Sequence, residues 1–301
     1  MNADGHATAT AWTPVEEVTT DVVAAGMAAA LHGLLDAPGP APADGEPLPP
    51  LWHWLAFLPR VPQRQLGRDG HPRTGEFLPP VGGRRMFAGG RTTFSDHLLV
   101  GEPLRRRGNV GAVTEKQGRS GRLTFVTVEY GIAPVNSDRS ASAAVSETQD
   151  IVYRPESPVG DATPSSPSNA RSAAAPAPDA DGEWDWRLEL RPDPTMLFRF
   201  SALTYNAHRI HYDRTYATEE EGYPGLVVHG PLQAIMLAEL CRRHVPERTI
   251  TSFQFRAVAP AFDDHPLTFV GRYEEAGRGA TLRALDGNAR MTMQADVQFA
   301  T

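Results

Sequence analysis

Apolar residues surround the helical stretch that contains Leu232, Ala234, Ile235, Met236, Leu237, Ala238 and Leu240 on nearly its whole circumference. A helix lying on a protein surface carries one apolar stripe, so a helix apolar all round must be enclosed by other chain. The spacing places this helix over residues 232–244. Alternating runs follow near residues 249–258, 267–273, 280–284 and 291–299, and another precedes it at 184–190. Period-2 alternation of this kind predicts strands that bury one face.

The first half repeats the plan. Asp21 can cap a helix running through Val22, Val23, Ala24, Met27, Ala30, Leu31 and Leu34, which stops before Pro38-Gly39-Pro40. A Pro- and Gly-rich loop region is expected over residues 47–90, followed by strands at 91–94, 110–114, 123–130 and 148–154. One helix against many antiparallel strands, twice, predicts an α+β fold with an internal repeat. A sheet wrapped around a buried helix is the hot-dog arrangement. Two copies make a double hot dog, two antiparallel sheets each wrapped around a central helix.

Between the halves, residues 155–182 are dominated by Pro, Ala, Ser and Asp, and such a segment buries too little apolar surface to offset its ordering entropy. The expected organisation is an amino-terminal domain over 1–154, a flexible linker over 155–182 and a carboxy-terminal domain over 183–301. A chain of 301 residues with 41% hydrophobic content can build both cores.

Composition excludes several kinds of function. A net charge of −7 and scattered arginines argue against a nucleic-acid partner. Lys116 is the only lysine, so lysine Schiff-base chemistry is excluded at every other position. The amino terminus lacks a secretory pattern and no run of about 18 apolar residues occurs, which predicts a soluble, cytoplasmic protein without a membrane partner. Cys241 falls within the apolar helix and reads as a buried packing thiol.

Chemistry concentrates in two stretches, residues 200–213 and 222–232. Pro231 suits the first turn of a helix and has no N–H to donate, so the N–H groups of Gly230, Leu232 and their successors, with the helix dipole, can hold a carbonyl oxygen that gains negative charge. A plain helix cap explains the same motif equally well. Asn206 and His211 are five residues apart, roughly 140° on a continuous helix by the 3.6-residue turn, so they converge only if the helix through Phe200, Leu203 and Thr204 ends and the chain turns back. His211 could then pass a proton to or from water while Asn206 orients it. His208, His211 and His229 near an Asp could also suggest a metal. Their spacings match no two-His helical zinc motif and no cysteine is near, so the expectation is no metal and no cofactor.

Residues 200–217 resemble the signature of MaoC-like hydratases and dehydratases, and residues 222–232 resemble the same family's helix entry. The wording is most similar to the branch of hydroxyacyl-thioester dehydratase type 2 and mesaconyl-C4-CoA hydratase, which also resembles Trp52-His53-Trp54-Leu55-Ala56-Phe57-Leu58-Pro59, Arg85-Met86-Phe87-Ala88-Gly89-Gly90 and residues 113–121. The resemblance implies a double hot-dog fold and reversible hydration of a 2-enoyl thioester carried by coenzyme A or acyl carrier protein. It implies His211 as the acid–base residue, Asn206 and Gly230 beside it, and His208, Tyr205, His229, Leu232 and Arg85 around the substrate. Asn206 stands where many MaoC-like enzymes have Asp, His208 where the signature has Asn, and Arg209 where it has Pro.

The first half offers no comparable pair, and Asp96-His97 reads as a loop pair, so that half is expected to shape an acyl tunnel without doing chemistry. Trp52, Trp54 and Phe57 could line that tunnel or pack a core. Arg84, Arg105, Arg106 and Arg107 read as surface charge, whereas Arg85 could bind coenzyme A phosphates or a substrate carboxylate. A hot-dog thioesterase and a non-catalytic thioester-binding protein are the competing readings. The chain is expected to act as a monomer or homodimer.

Overall fold

The computed structural model describes residues 12–73, 77–118, 121–136, 143–154, 183–274 and 277–300. The expected linker, residues 155–182, lies outside them. Five strands come from the first half: β1 (Glu17–Val22), β2 (Arg84–Phe94), β3 (Pro103–Gly118), β4 (Gly121–Pro134) and β5 (Val145–Arg154). Five come from the second: β6 (Trp186–Leu190), β7 (Ile250–Ala257), β8 (Leu267–Tyr273), β9 (Gly279–Leu285) and β10 (Met291–Phe299). All pairings are antiparallel, and the order β1-β3-β4-β5-β2-β7-β10-β9-β8-β6 makes one continuous ten-stranded sheet. Counting inward from either edge, each half shows its own strands in the order first, third, fourth, fifth, second. The repeat expected from the sequence is therefore a repeat of topology, and the double hot dog is joined edge to edge through β2 and β7.

That seam explains a Gly-Gly pair inside a strand. Gly89 and Gly90 pair with Arg256 and Phe255. A Cβ at Gly89 would meet the Phe255 carbonyl at 2.5 Å, and one at Gly90 the Thr148 carbonyl at 2.6 Å. Residues 84–90, assigned to loop from composition, are thus strand; the glycines that suggest a breaker are there for close backbone approach.

Among the described residues three α-helices accompany the sheet: α1 (Ala25–Leu34), α2 (Pro194–Leu203) and α3 (Gly230–His244). Residues 232–241 of α3 are all buried, and the helix packs across all five strands of its half. Each apolar side chain buried there contributes roughly 1.5–3 kcal/mol. Its buried polar residues are satisfied: Gln233 accepts from Thr292, and Glu239 accepts from Arg242 and Arg243. Cys241 is buried as expected, and burial pushes its thiol up to about 12.

The first half differs. Asp21 does not cap α1; it lies in the last two residues of β1, and its carboxylate instead accepts the Phe57 backbone N–H at 2.8 Å and pairs with Arg60. α1 starts at Ala25 and packs on α2 and on the short turn Trp52–Leu55 rather than across strands. The inner face of β4 and β5 is covered by later loop residues, with Phe77, Leu78 and Val81 packed on Val126, Val128, Ile151 and Tyr153. Among the described residues no helix is long and apolar enough to cross a membrane.

Candidate active site

Asp193 and Pro194 start α2: the Asp193 carboxylate accepts the Met196 N–H at 2.7 Å, and proline fits the first turn. The helix ends at Leu203. Tyr205 then takes a left-handed φ of 51°, which costs a non-glycine residue about 1–2 kcal/mol, and the Asn206 Oδ1 accepts the His208 N–H at 3.0 Å. Those two steps turn the chain back into the short turn Arg209–His211. Asn206 therefore spends its oxygen on the turn, leaving its amide nitrogen for other work. Tyr205 itself is 57% exposed.

His211 is buried, with Nδ1 2.7 Å from the Val227 carbonyl. A carbonyl can only accept, so Nδ1 carries the proton and Nε2 keeps its lone pair. The Val227 N–H donates back to the Ile210 carbonyl at 3.0 Å, which fastens the turn to the segment entering α3. His229, the residue just before α3, stacks on His211 with ring centroids 3.7 Å apart, and its Nε2 meets the Ser201 hydroxyl at 2.8 Å. His208 lies edge-on to His211 at 5.4 Å and against His71 at 4.0 Å. Four imidazoles thus form a row from His71 through His208 and His211 to His229.

Burial keeps most of this row uncharged. His211 is lowered to about 4 by loss of water, against the Val227 hydrogen bond, with the charge of His71 adding to the fall. His208 is lowered to about 2 by burial first, then by the charges of His71 and His211, with Asp69 opposing. Burial also takes His229 well below its ordinary value. At neutral pH all three are neutral, and His211 presents a free nitrogen.

Gly230 opens α3 as the helix-start motif predicts, and the first N–H groups of a helix have no partner within it. A Cβ at Gly230 would lie 3.7 Å from Phe87 and 4.0 Å from Met293, so the helix start faces the seam between the halves. Phe87 continues toward Phe255 and Trp54, with centroids 5.5 and 6.4 Å away. Leu232 is fully buried, so its side chain is part of the core and does not line an open substrate pocket. Trp52 is core; Phe57 lies under Arg106. Arg106 and Arg107 pair with Glu17 and Glu16, whereas Arg85, on β2, is close enough for its charge to lower His208.

Among the described residues, Asp69, His71 and His208 form the one group of ligand types near enough to hold a metal ion. Their arrangement does not suit it. Asp69 already accepts from His71 Nδ1, so that nitrogen carries a proton and is no ligand while the pair stands, and the His71 and His208 rings pack on each other at a 37° tilt with centroids 4.0 Å apart. An open groove of about 520 Å³ on the first half, lined by Arg91, Arg107 and Glu129 among others, contains none of the row's histidines.

Residues 51–263 match the family model of hydroxyacyl-thioester dehydratase type 2. The chain belongs to that family. It is 48% identical over 264 residues to the mesaconyl-C(4)-CoA hydratase of Chloroflexus aurantiacus, covering 87% of this chain and 88% of that protein. Over 78 residues it is 46% identical to the mitochondrial hydroxyacyl-thioester dehydratase type 2 of Schizosaccharomyces pombe, 25% of this chain and 26% of that one. The fold is shared with HtdX of Mycobacterium tuberculosis (TM-score 0.62, 14% identity, 95% of this chain and 100% of that one). It is also shared with a MaoC-like dehydratase of Phytophthora capsici (TM-score 0.63, 11% identity, 96% of each). As a hydroxyacyl-thioester dehydratase type 2 protein, the chain is a hydratase/dehydratase of acyl thioesters, a hydro-lyase.

Three residues at this family member's site escape sequence reasoning. Asp69 and His71 come from a loop more than a hundred residues away, and Ser201 lies on a buried helix face with no polar neighbour in sequence. Only the cluster Asp69-Gly70-His71-Pro72 carried a signal, as functional residue types inside a breaker-rich loop.

Proposed function

We propose that this hydratase/dehydratase adds water reversibly to the double bond of a 2-enoyl-CoA, with His211 as the base. The thioester oxygen sits at the Gly230 N–H, where the helix start favours the negative charge that develops as the β-carbon is attacked. His211 Nε2 takes a proton from water, the hydroxyl bonds to the β-carbon, and the double-bond electron pair moves to the α-carbon, which is then protonated. His229, stacked and held by Ser201, fixes the plane of the His211 ring. The amide nitrogen of Asn206 orients the water, and His208 closes the pocket on the side of the first half.

In this reading residues 183–301 carry the base His211, Asn206 and the helix start at Gly230, and residues 1–154 shape the acyl channel through Phe87 and Trp54. Arg85 receives an anionic group of the substrate, a second carboxylate on the acyl chain or a coenzyme A phosphate. The 48% identical relative named for mesaconyl-C(4)-CoA supports coenzyme A as carrier and a dicarboxylic acyl group. A chain with both halves has the pairing that single hot dogs obtain by dimerising, so it works as a monomer or homodimer.

The observation that carries the proposal is the unspent Nε2 of a buried, neutral His211 held next to the start of α3. Loss of enoyl absorbance on mixing the protein with crotonyl-CoA or mesaconyl-C4-CoA tests it. Turnover of at least one is expected, with the dicarboxylic substrate favoured. Release of free coenzyme A would mark a thioesterase, and tight binding without either change a non-catalytic protein.

A further inference from the structure

The loop at residues 67–73 belongs to the first half by sequence but is built into the histidine turn of the second. The Asp69 carbonyl accepts the Arg209 N–H at 2.8 Å, and the Arg68 carbonyl accepts from the Arg209 guanidinium at 3.2 Å. Arg68 also pairs with Glu220 at 2.7 Å. At Gly70 the loop touches the turn backbone: φ is 89°, and a Cβ would lie 1.8 Å from the Ala207 carbonyl. No residue with a side chain fits there.

What the loop delivers is one carboxylate and one imidazole. The Asp69 carboxylate accepts both the ring Nδ1–H of His71, at 3.1 Å, and its backbone N–H, at 3.0 Å. This fixes the tautomer of His71 and leaves Nε2 as its working atom. Burial raises Asp69, but the hydrogen bonds and charge of His71 outweigh it, so the group is held below its ordinary value and stays a carboxylate. The side chain of His71 is 23% exposed, so it stands at the mouth of the row, whereas His211 and His229 lie deep in it.

The position of Asn206 needs explaining beside this pair. Its oxygen is engaged in the turn and its amide cannot accept a proton, so the second half alone supplies one acid–base group, and hydration moves two protons. We propose that the Asp69–His71 pair is the second acid–base group of the hydration reaction, supplying in space the carboxylate-backed proton donor that Asn206 cannot be. The inference rests on the hydratase reading above. In the hydration direction, water loses a proton to His211 Nε2 while its oxygen bonds to the β-carbon. The double-bond pair forms a new C–H bond at the α-carbon with the proton of the His71 imidazolium, whose charge Asp69 stabilises. One proton leaves and one is gained, and the two rings return to their starting states by exchange with solvent.

The charged and titrating groups that face His71 are Asp69 from its own loop, His208 and His211 from the turn, and Arg85 beyond them on β2. The test is a pH profile of kcat and KM for hydration of the better enoyl-CoA by wild type, His71→Gln, Asp69→Asn and Asp69→Glu, each with its melting temperature. His71→Gln and Asp69→Asn should lower kcat by about 10²-fold or more, with KM within about threefold and melting unchanged. The limb of the profile that reports the proton donor should disappear, and Asp69→Glu should recover much of the rate. Rates within twofold of wild type in both variants, while His211→Asn is inactive, overturn the inference and leave the hydratase reading standing. Losses that follow the melting temperature overturn it too, as does wild-type activity abolished by EDTA and restored by zinc. A wild-type protein that hydrates no enoyl-CoA removes the functional reading and this pair with it.

Discussion

In the carboxy-terminal half, the inner face of the sheet holds α3 and, at its start, the neutral imidazoles of His208, His211 and His229, with one nitrogen of His211 free. In the amino-terminal half, the same strand order holds the Trp52–Leu55 turn, Phe77, Leu78 and Val81, and a buried carboxylate, Glu147. Its Oε1 accepts from Trp54 Nε1 at 2.8 Å and from Gln149 Nε2 at 2.9 Å, and its Oε2 lies 3.2 Å from His53 Nε2. Burial raises Glu147, yet these partners win and hold it below its ordinary value. The difference lies in how the buried polar atoms are used. Glu147 has each oxygen engaged and serves to hold β5 against the Trp52–Leu55 turn. His211 has one nitrogen tied to backbone and one left over. A saturated buried group is structural, and one with an unspent atom is available for chemistry.

Acid should separate the two halves by the largest margin. His211, His208 and His229 all have folded values below the 6.5 of an exposed histidine, so the unfolded chain binds protons first as pH falls. Their contribution is intact above about pH 6.5 and is lost toward pH 4, at up to about 1.4 kcal/mol per pH unit for each ring. Glu147 and Asp69 are lowered carboxylates, so what they contribute is present above their unfolded values near 4 and lost only below. Hydrogen exchange followed from pH 7 to pH 4 should show residues 201–229 losing protection before residues 145–154. Simultaneous loss would break the comparison.

Glu147→Ala should come next. It strands the Trp54 N–H and the Gln149 amide, and removing one member of a buried polar pair costs about 3–5 kcal/mol. Urea unfolding measures that loss, and a cost below 1 kcal/mol would mean the cluster is wet. Gly89→Val addresses the seam: its Cβ has no room beside the Phe255 carbonyl, and such overpacking costs about 1–3 kcal/mol. The unfolding midpoint should fall while β3 and β4 keep their exchange protection, whereas an unchanged midpoint would show that the halves tolerate separation.

Much of this was legible from the sequence, for identifiable reasons. The all-round apolar pattern of α3 gave its enclosure, because burial on every side leaves no polar face, and β8 and β10 were readable from alternation. For the turn at Asn206–His211 the spacing gave only a condition, that the helix must end if the two residues are to converge, and the helix does end at Leu203. Asp21 misled because a carboxylate before apolar residues also suits a strand end that accepts a distant N–H. Gly89 and Gly90 misled because local rules read glycine as a breaker and cannot see the neighbouring backbone. Asp69 and His71 were out of reach, since the contact between Gly70 and Ala207 exists only once the two halves are joined.

The measurement that bears most directly on the account is steady-state hydration by His211→Asn. Asparagine can place its amide N–H where Nδ1 stood, toward the Val227 carbonyl, but has no basic nitrogen where Nε2 stood. The account predicts a kcat lowered by about 10²–10⁴, with melting temperature and exchange protection close to wild type. A variant that hydrates the enoyl-CoA within twofold of the wild-type rate would contradict it.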